Sequence, residues 1–213
     1  MTFLPDFPTL VAFTLATWLL AATPGPDMTL SISRALSDGK TGGLMVILGT
    51  NAGIIVHSFL VAFGVSALIV ASPTAFWVLK TGGAAYLLWL AINALRHGSS
   101  FSAVRAEGPR RTAWSNFLTG LGVNLLNPKV IIFFMTFLPQ FVDPSDPHVT
   151  SRLLFLGFWF LLASLPVVVP VVLAAERLSV WLKDNPRILR SIDIAFAGVF
   201  SIFAVKILFA QAK

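Results

Sequence analysis

The chain has no cysteine and little charge. Without cysteine it can form no disulfide, no thiolate metal site and no thiol redox relay. Charged residues make up 11% of the 213 positions against 56% hydrophobic, and the mean hydropathy is +0.85. That is too little charge to cover a soluble globule. The segment ahead of the first apolar run also lacks lysine and arginine, carrying only Asp6. A secretory leader opens with positive charge, so the first run is expected to stay in the mature protein. No basic patch interleaved with aromatics is present, so the net charge of +6 does not read as a nucleic-acid footprint.

What the chain has in quantity is apolar runs long enough to cross a bilayer, which takes roughly 20 residues as a helix. Six qualify, at about 9 to 30, 43 to 71, 75 to 96, 114 to 138, 152 to 175 and 190 to 210. Almost nothing remains for a soluble domain, and the whole of 1–213 reads as one transmembrane domain. The loops after runs one, three and five carry Arg34 and Lys40, then Arg96, Arg105, Arg110 and Arg111, then Arg177, Lys183, Arg187 and Arg190. The N-terminal segment and the connections near Ser72-Pro73 and from Pro139 to Ser151 carry none. Basic loops are retained in the cytoplasm, so both termini are expected outside.

Two runs are interrupted. Pro24-Gly25-Pro26-Asp27 breaks the first and Asn127-Pro128-Lys129 the fourth, each placing helix breakers beside an ionisable group. Proline has no amide hydrogen, so Pro24, Pro26 and Pro128 leave the carbonyls of Leu20, Ala22 and Asn124 without their usual partners. Lipid cannot satisfy those oxygens, which must face protein, water or a ligand. Asn127-Pro128 is an N-cap followed by a first-turn proline, the signature of a helix starting anew, and Gly25-Pro26 reads the same way. A restarted helix presents unpaired amides and a partial positive charge, which suits an anion such as a substrate carboxylate. Asp27 fits that field; Lys129 does not and calls for an offsetting negative group, for which Asp27 is the candidate.

The segment from about 97 to 113 divides the six runs three and three. This predicts an all-α fold of two inverted three-helix repeats, about 9–96 and 114–210, with interrupted helices one and four at the bundle centre. In run two, Gly49, Gly53 and His57 follow at four-residue spacing and share one helical face beside Thr50 and Asn51. That face permits close packing and points the imidazole inward. Two readings of His57 stand: it carries a coupling proton, or it stays neutral and bonds a freed carbonyl. Gly82, Gly83 and Tyr86 in run three offer a second small-residue surface with one hydroxyl. Pro166 and Pro170 in run five have no ionisable residue between them and read as a structural kink. Asp193 reads as a boundary charge.

At these residues the chain resembles the lysine-exporter (LysE/RhtB) family of bacterial amino-acid efflux proteins. The matching pieces are Thr23-Pro24-Gly25-Pro26-Asp27, the Gly49 to His57 region, Lys80-Thr81-Gly82-Gly83-Ala84-Ala85-Tyr86-Leu87, and Asn124-Leu125-Leu126-Asn127-Pro128-Lys129 followed by Phe133-Phe134 and Leu138-Pro139-Gln140-Phe141. The resemblance implies a multi-pass inner-membrane exporter of amino acids or their derivatives, driven by the proton gradient. Its substrate site is then expected at Pro24, Gly25, Asp27, Asn124, Asn127, Lys129 and Tyr86, with His57 and Asp27 as the ion-coupling groups. The expected partners are an amino-acid substrate, a coupling proton and membrane lipid, with no nucleic acid, cofactor or metal. A homo-oligomer stays open.

Two other classes compete with this reading. A passive channel for small solutes differs from it in needing no gradient. An intramembrane enzyme could use Asp27 and Asp193 as a carboxylate dyad sharing a proton, but Lys129 would suppress the raised pKa that such a dyad needs. A serine-histidine mechanism would need a serine facing His57. Ser58 lies on a different helical face, and there is no Gly-x-Ser-x-Gly element.

Overall fold

The computed structural model describes residues 4–23, 25–65, 67, 72–97, 110–143 and 146–209, and all of the regular structure in them is helical. Pro24 and most of the expected linker lie outside the described residues. Helix α1 (Phe7–Ala22) starts on Asp6, whose carboxylate accepts from the Thr9 amide at 3.0 Å, with Pro8 placed where an amide hydrogen is not needed. It ends at Thr23, whose amide and hydroxyl both turn back onto the Leu19 carbonyl. Helix α2 (Pro26–Asp38) restarts the chain at 55° to α1. Gly39, at φ +81°, then reverses the path in a single residue into α3 (Lys40–Leu60), a conformation that glycine adopts without steric penalty.

A π-helical turn, Val61–Val65, continues α3, and α4 (Pro73–His97) follows. Helix α5 (Ala113–Leu125) is capped by Thr112. Asn127 opens α6 (Pro128–Ile132), which runs on through a π turn at Phe133–Phe137 and a 3₁₀ turn at Leu138–Phe141. This second segment bends from α5 by 51°. Helices α7 (Val149–Leu173), α8 (Ala175–Asp184) and α9 (Pro186–Phe209) complete the chain.

By length and composition, Lys40–Gly64 and Val149–Leu173 can each cross a membrane, and the number rises to four if each bent pair is one span. Among the described residues the count therefore stands at two to four against the six expected. Helices α4 and α9, of 25 and 24 residues, pack mainly on each other.

Side-chain registers fix the direction of the central helices. Trp159 Nε1 donates to Thr14 Oγ1 at 2.8 Å, and Trp18 Nε1 to the Ala163 carbonyl at 2.9 Å, so α1 and α7 run parallel. Helices α3 and α5 are also parallel. Gly42 abuts Asn116, Gly49 the Phe117 backbone and Gly53 the Asn124 side chain, while Gly120 in return faces the Val46 backbone. No Cβ would fit at Gly49 or Gly120, so the glycine face brings the two backbones together.

One end of the bundle is tied by Asp38, which accepts from the Arg111 amide at 3.2 Å and Asn116 Nδ2 at 2.8 Å and lies 3.8 Å from Arg34 Nη1. Towards the other end, Phe13, Phe133, Phe134, Phe137, Phe141 and Phe160 form one aromatic cluster. Between the cluster and the Asp38 end lie the two helix breaks.

Candidate functional site

The two breaks hold each other across the bundle. From the second break, Asn124 Nδ2 donates to Asp27 Oδ2 at 2.7 Å and Asn127 Nδ2 to Asp27 Oδ1 at 2.9 Å. The Asn127 side chain works at both ends, since its Oδ1 accepts from the Lys129 amide at 3.0 Å and so caps α6. In the other direction, Lys129 Nζ donates to the Thr23 carbonyl at 3.0 Å and the Leu20 carbonyl at 3.4 Å. These are the last carbonyls of α1, the negative end of that helix.

Lys129 is therefore not paired directly with Asp27, as the sequence suggests; no ion pair joins the two among the described residues. What offsets the ammonium is the carbonyl end of the facing half-helix. The carboxylate in turn sits in the first turn of α2, where the helix field favours it. Asp27 and Lys129 are thus joined through Asn127 and the backbone at the breaks.

Two of the carbonyls freed by the prolines find specific donors. Leu20 receives Lys129, while Asn124 receives its own cap amide from Asn127 and the ring of His57, with Nε2 at 3.3 Å. A carbonyl only accepts, so Nε2 carries the hydrogen. His57 is buried and also packs on Phe134. It thus sits one residue from the acid: its ring holds the Asn124 backbone, and the Asn124 side chain holds Asp27.

A cavity of about 70 Å³ adjoins the crossing, on the side towards the Asp38 end. That is room for several waters or a small polar group. Asp27 and Lys129 line it together with Asn124, Thr23, Asn51 and Ser31, and its apolar walls come from α1, α2, α3, α6 and α7. Gly25 does not line the cavity but makes space for Lys129: a Cβ there would stand 3.0 Å from Nζ. Of the other sequence-derived candidates, Asn127 and His57 stand behind the lining residues. Tyr86 lies on α4, stacked on Trp89 with ring centroids 5.4 Å apart, and is not part of the lining. Pro24 falls outside the described residues. Asp193, on α9, is buried and does not line the cavity either.

Sequence reasoning missed Asn51 as a lining residue and the carbonyls of Leu20 and Thr23 as the seat of Lys129. The first could have been found from the helical spacing of Ile47, Asn51 and Ile54, which puts one polar group on an apolar face. Among the described residues there is no cluster of three or more His, Cys, Asp or Glu side chains that could hold a metal.

Compared with known proteins, residues 18–211 match the family model described as LysE type translocator. The chain is 30% identical over 202 residues to the homoserine/homoserine lactone efflux protein of Salmonella typhimurium, covering 95% of this chain and 96% of that one. The protein of the same description from Salmonella typhi matches equally, at 30% over 202 residues. An uncharacterized membrane protein of Vibrio cholerae is 30% identical over 190 residues, with 89% of this chain and 91% of the other covered. No solved structure matches.

Proposed function

Because the chain belongs to the LysE type translocator family, whose members are transporters and not enzymes, we propose that it exports a small amino acid or amino-acid derivative across the bacterial inner membrane in exchange for protons. The observation that carries this reading is a cavity lined by one carboxylate and one ammonium, each seated on the opposite helix break. An α-amino acid presents the complementary pair. Its ammonium meets Asp27, and its carboxylate meets the remaining donor of Lys129, which has three hydrogens and uses two on carbonyls. The names of the two Salmonella relatives point to homoserine or its lactone as the first compounds to try.

The parallel pairs support the inverted-repeat architecture. A two-fold axis in the membrane plane that exchanges spans one and four, and two and five, carries the α1–α7 pair onto the α5–α3 pair. Both pairs are parallel, as that symmetry requires. On the expected orientation the cavity lies on the cytoplasmic side of the crossing and the aromatic cluster closes the outer side, an arrangement open to substrate from the cell interior.

For the proton, His57 is the carrier in this reading. Its bond to the Asn124 carbonyl would change on protonation, and Asn124 passes the change to Asp27. Transport of a substrate panel into inside-out vesicles, with and without a proton gradient, tests the proposal. Saturable, gradient-dependent accumulation of a small zwitterion is expected; unsaturable flux indifferent to the gradient would make the protein a channel instead.

A further inference from the structure

Asn51 is buried, at 8% exposure, and lines the cavity, yet its side chain makes no hydrogen bond among the described residues. The hydroxyls of the lining each donate to a backbone carbonyl. Thr50 Oγ1 donates to the Ile47 carbonyl at 2.9 Å, Ser31 Oγ to the Asp27 carbonyl at 2.7 Å, Ser164 Oγ to the Leu161 carbonyl at 2.9 Å and Thr23 Oγ1 to the Leu19 carbonyl at 2.7 Å. Asn124 gives its Nδ2 to Asp27, and its Oδ1, buried without a partner, lies against Gly53 at the contact of α3 and α5. A buried amide without partners is unfavourable, so this one serves an occupant of the cavity.

The chemistry of that occupant follows from the amide and its surroundings. An asparagine side chain donates and accepts at once, as a hydroxyl does, and carries no charge. Apart from Asp27 and Lys129, no charged residue lines the cavity. A substrate side chain with its own ammonium or carboxylate would enter without a counter-charge, at a large desolvation cost. A purely apolar side chain would leave the Asn51 amide as unpaired as before.

Building on the exporter reading above, we propose that Asn51 sets the selectivity of the site by hydrogen-bonding the side-chain polar group of an uncharged amino acid whose α-ammonium and α-carboxylate are held by Asp27 and Lys129. The substrate class is then short hydroxylated amino acids and their neutral derivatives, with cationic and anionic side chains disfavoured. Asn51 reaches this position because Ile47, Asn51 and Ile54 form the face of α3 turned to the cavity, while Gly49, Gly53 and His57 form the face turned to α5.

The test is a ratio of substrates transported by one preparation of oriented proteoliposomes, which is independent of how much of the protein has folded. Homoserine and 2-aminobutyrate differ by the hydroxyl alone; 2,4-diaminobutyrate puts an ammonium in its place. Wild type should favour homoserine over 2-aminobutyrate, and Asn51→Leu should cut that ratio by about 10-fold or more. Asn51→Ser, which keeps a hydrogen-bonding group, should hold most of the preference. Asn51→Asp should turn it towards 2,4-diaminobutyrate by supplying the missing counter-charge. A ratio unchanged in Asn51→Leu, or equal transport of homoserine and 2-aminobutyrate by wild type, would overturn the role of Asn51 while leaving the exporter reading in place. Failure of wild type to move any amino acid would overturn both. Should Asn51→Leu transport nothing, the thermal shift given by homoserine against 2-aminobutyrate in detergent reads the same preference on the folded fraction, and an undiminished preference there would also overturn it.

Discussion

Lys129 occupies the first turn of α6, where the unpaired amides of a helix start disfavour a cation. It is tolerated because its long stem carries the ammonium out of that field and onto the last carbonyls of α1. Gly25 leaves the path open. Its backbone is extended, at φ −168°, so alanine there meets no conformational objection, and any effect must come through Lys129. Gly25→Ala is therefore expected to reduce export several-fold with little loss of folded protein. Normal export by this variant would show that the seat of Lys129 does not matter to transport. Asp27 and Asn127 make the companion case. Asp27→Ala leaves Asn124 and Asn127 without their acceptor, and Asn127→Ala removes both its bond to Asp27 and its cap on the Lys129 amide, at about 1–3 kcal/mol for each group left unpaired. The double replacement should cost less than the sum, by roughly 0.5–3 kcal/mol in a cycle read from unfolding in detergent. Additive losses would mean that the 2.9 Å bond between them contributes nothing.

At the level of helices, the contact between α3 and α5 depends on what glycine lacks. In an open helical position, glycine to alanine stabilises by about 0.4–1 kcal/mol, because the unfolded chain loses freedom. Gly122 is such a position, with nothing within 4 Å of an added Cβ. At Gly49 the same methyl would overlap the Phe117 carbonyl and the Leu121 amide nitrogen. Gly122→Ala should therefore be neutral or stabilising and Gly49→Ala clearly destabilising, as measured by thermal unfolding in detergent. Equal responses would refute the close approach of the two helices. The same face of α3 delivers His57 to the second break. If His57 carries the proton, His57→Gln should flatten the pH dependence of export while substrate exchange persists, since glutamine can still donate to the Asn124 carbonyl. An unchanged pH profile would leave His57 with the carbonyl alone.

Across the whole molecule, the two parallel pairs and the two cross-braced breaks are what the proposed inverted repeat rests on. The expected orientation can be checked in the protein as it stands, because a chain without cysteine gives a single reporter for every cysteine introduced. Thr41, at the start of α3, and Ser151, at the start of α7, are both exposed. Membrane-impermeant thiol labelling of Thr41→Cys should occur only from the cytoplasmic face, and that of Ser151→Cys only from outside. Labelling of both from one face would reject the topology, and with it the inward-open reading of the cavity.

Read along the chain, the residues identify a helical membrane protein and the places where its first and fourth apolar runs break. These follow from local properties: apolar length, the missing amide of proline, the capping geometry of Asn127 and the spacing of Gly49, Gly53 and His57. The residues also show that specific carbonyls lose their partners. Which groups replace those partners depends on how the helices cross. The bonds of Asp27 to Asn124 and Asn127 span 97 and 100 residues, and those of Lys129 to Thr23 and Leu20 span 106 and 109. Charge complementarity read along the chain favours a direct Asp27–Lys129 pair, because opposite signs at matched positions are all that a sequence displays. In the folded protein each charge is nearer to the dipoles of the opposite break, which are invisible until the helices cross. Asn51 is the same kind of case: its helical face can be read from spacing, but a group left unpartnered is defined by everything that surrounds it, and that is settled only when six helices have packed around one cavity.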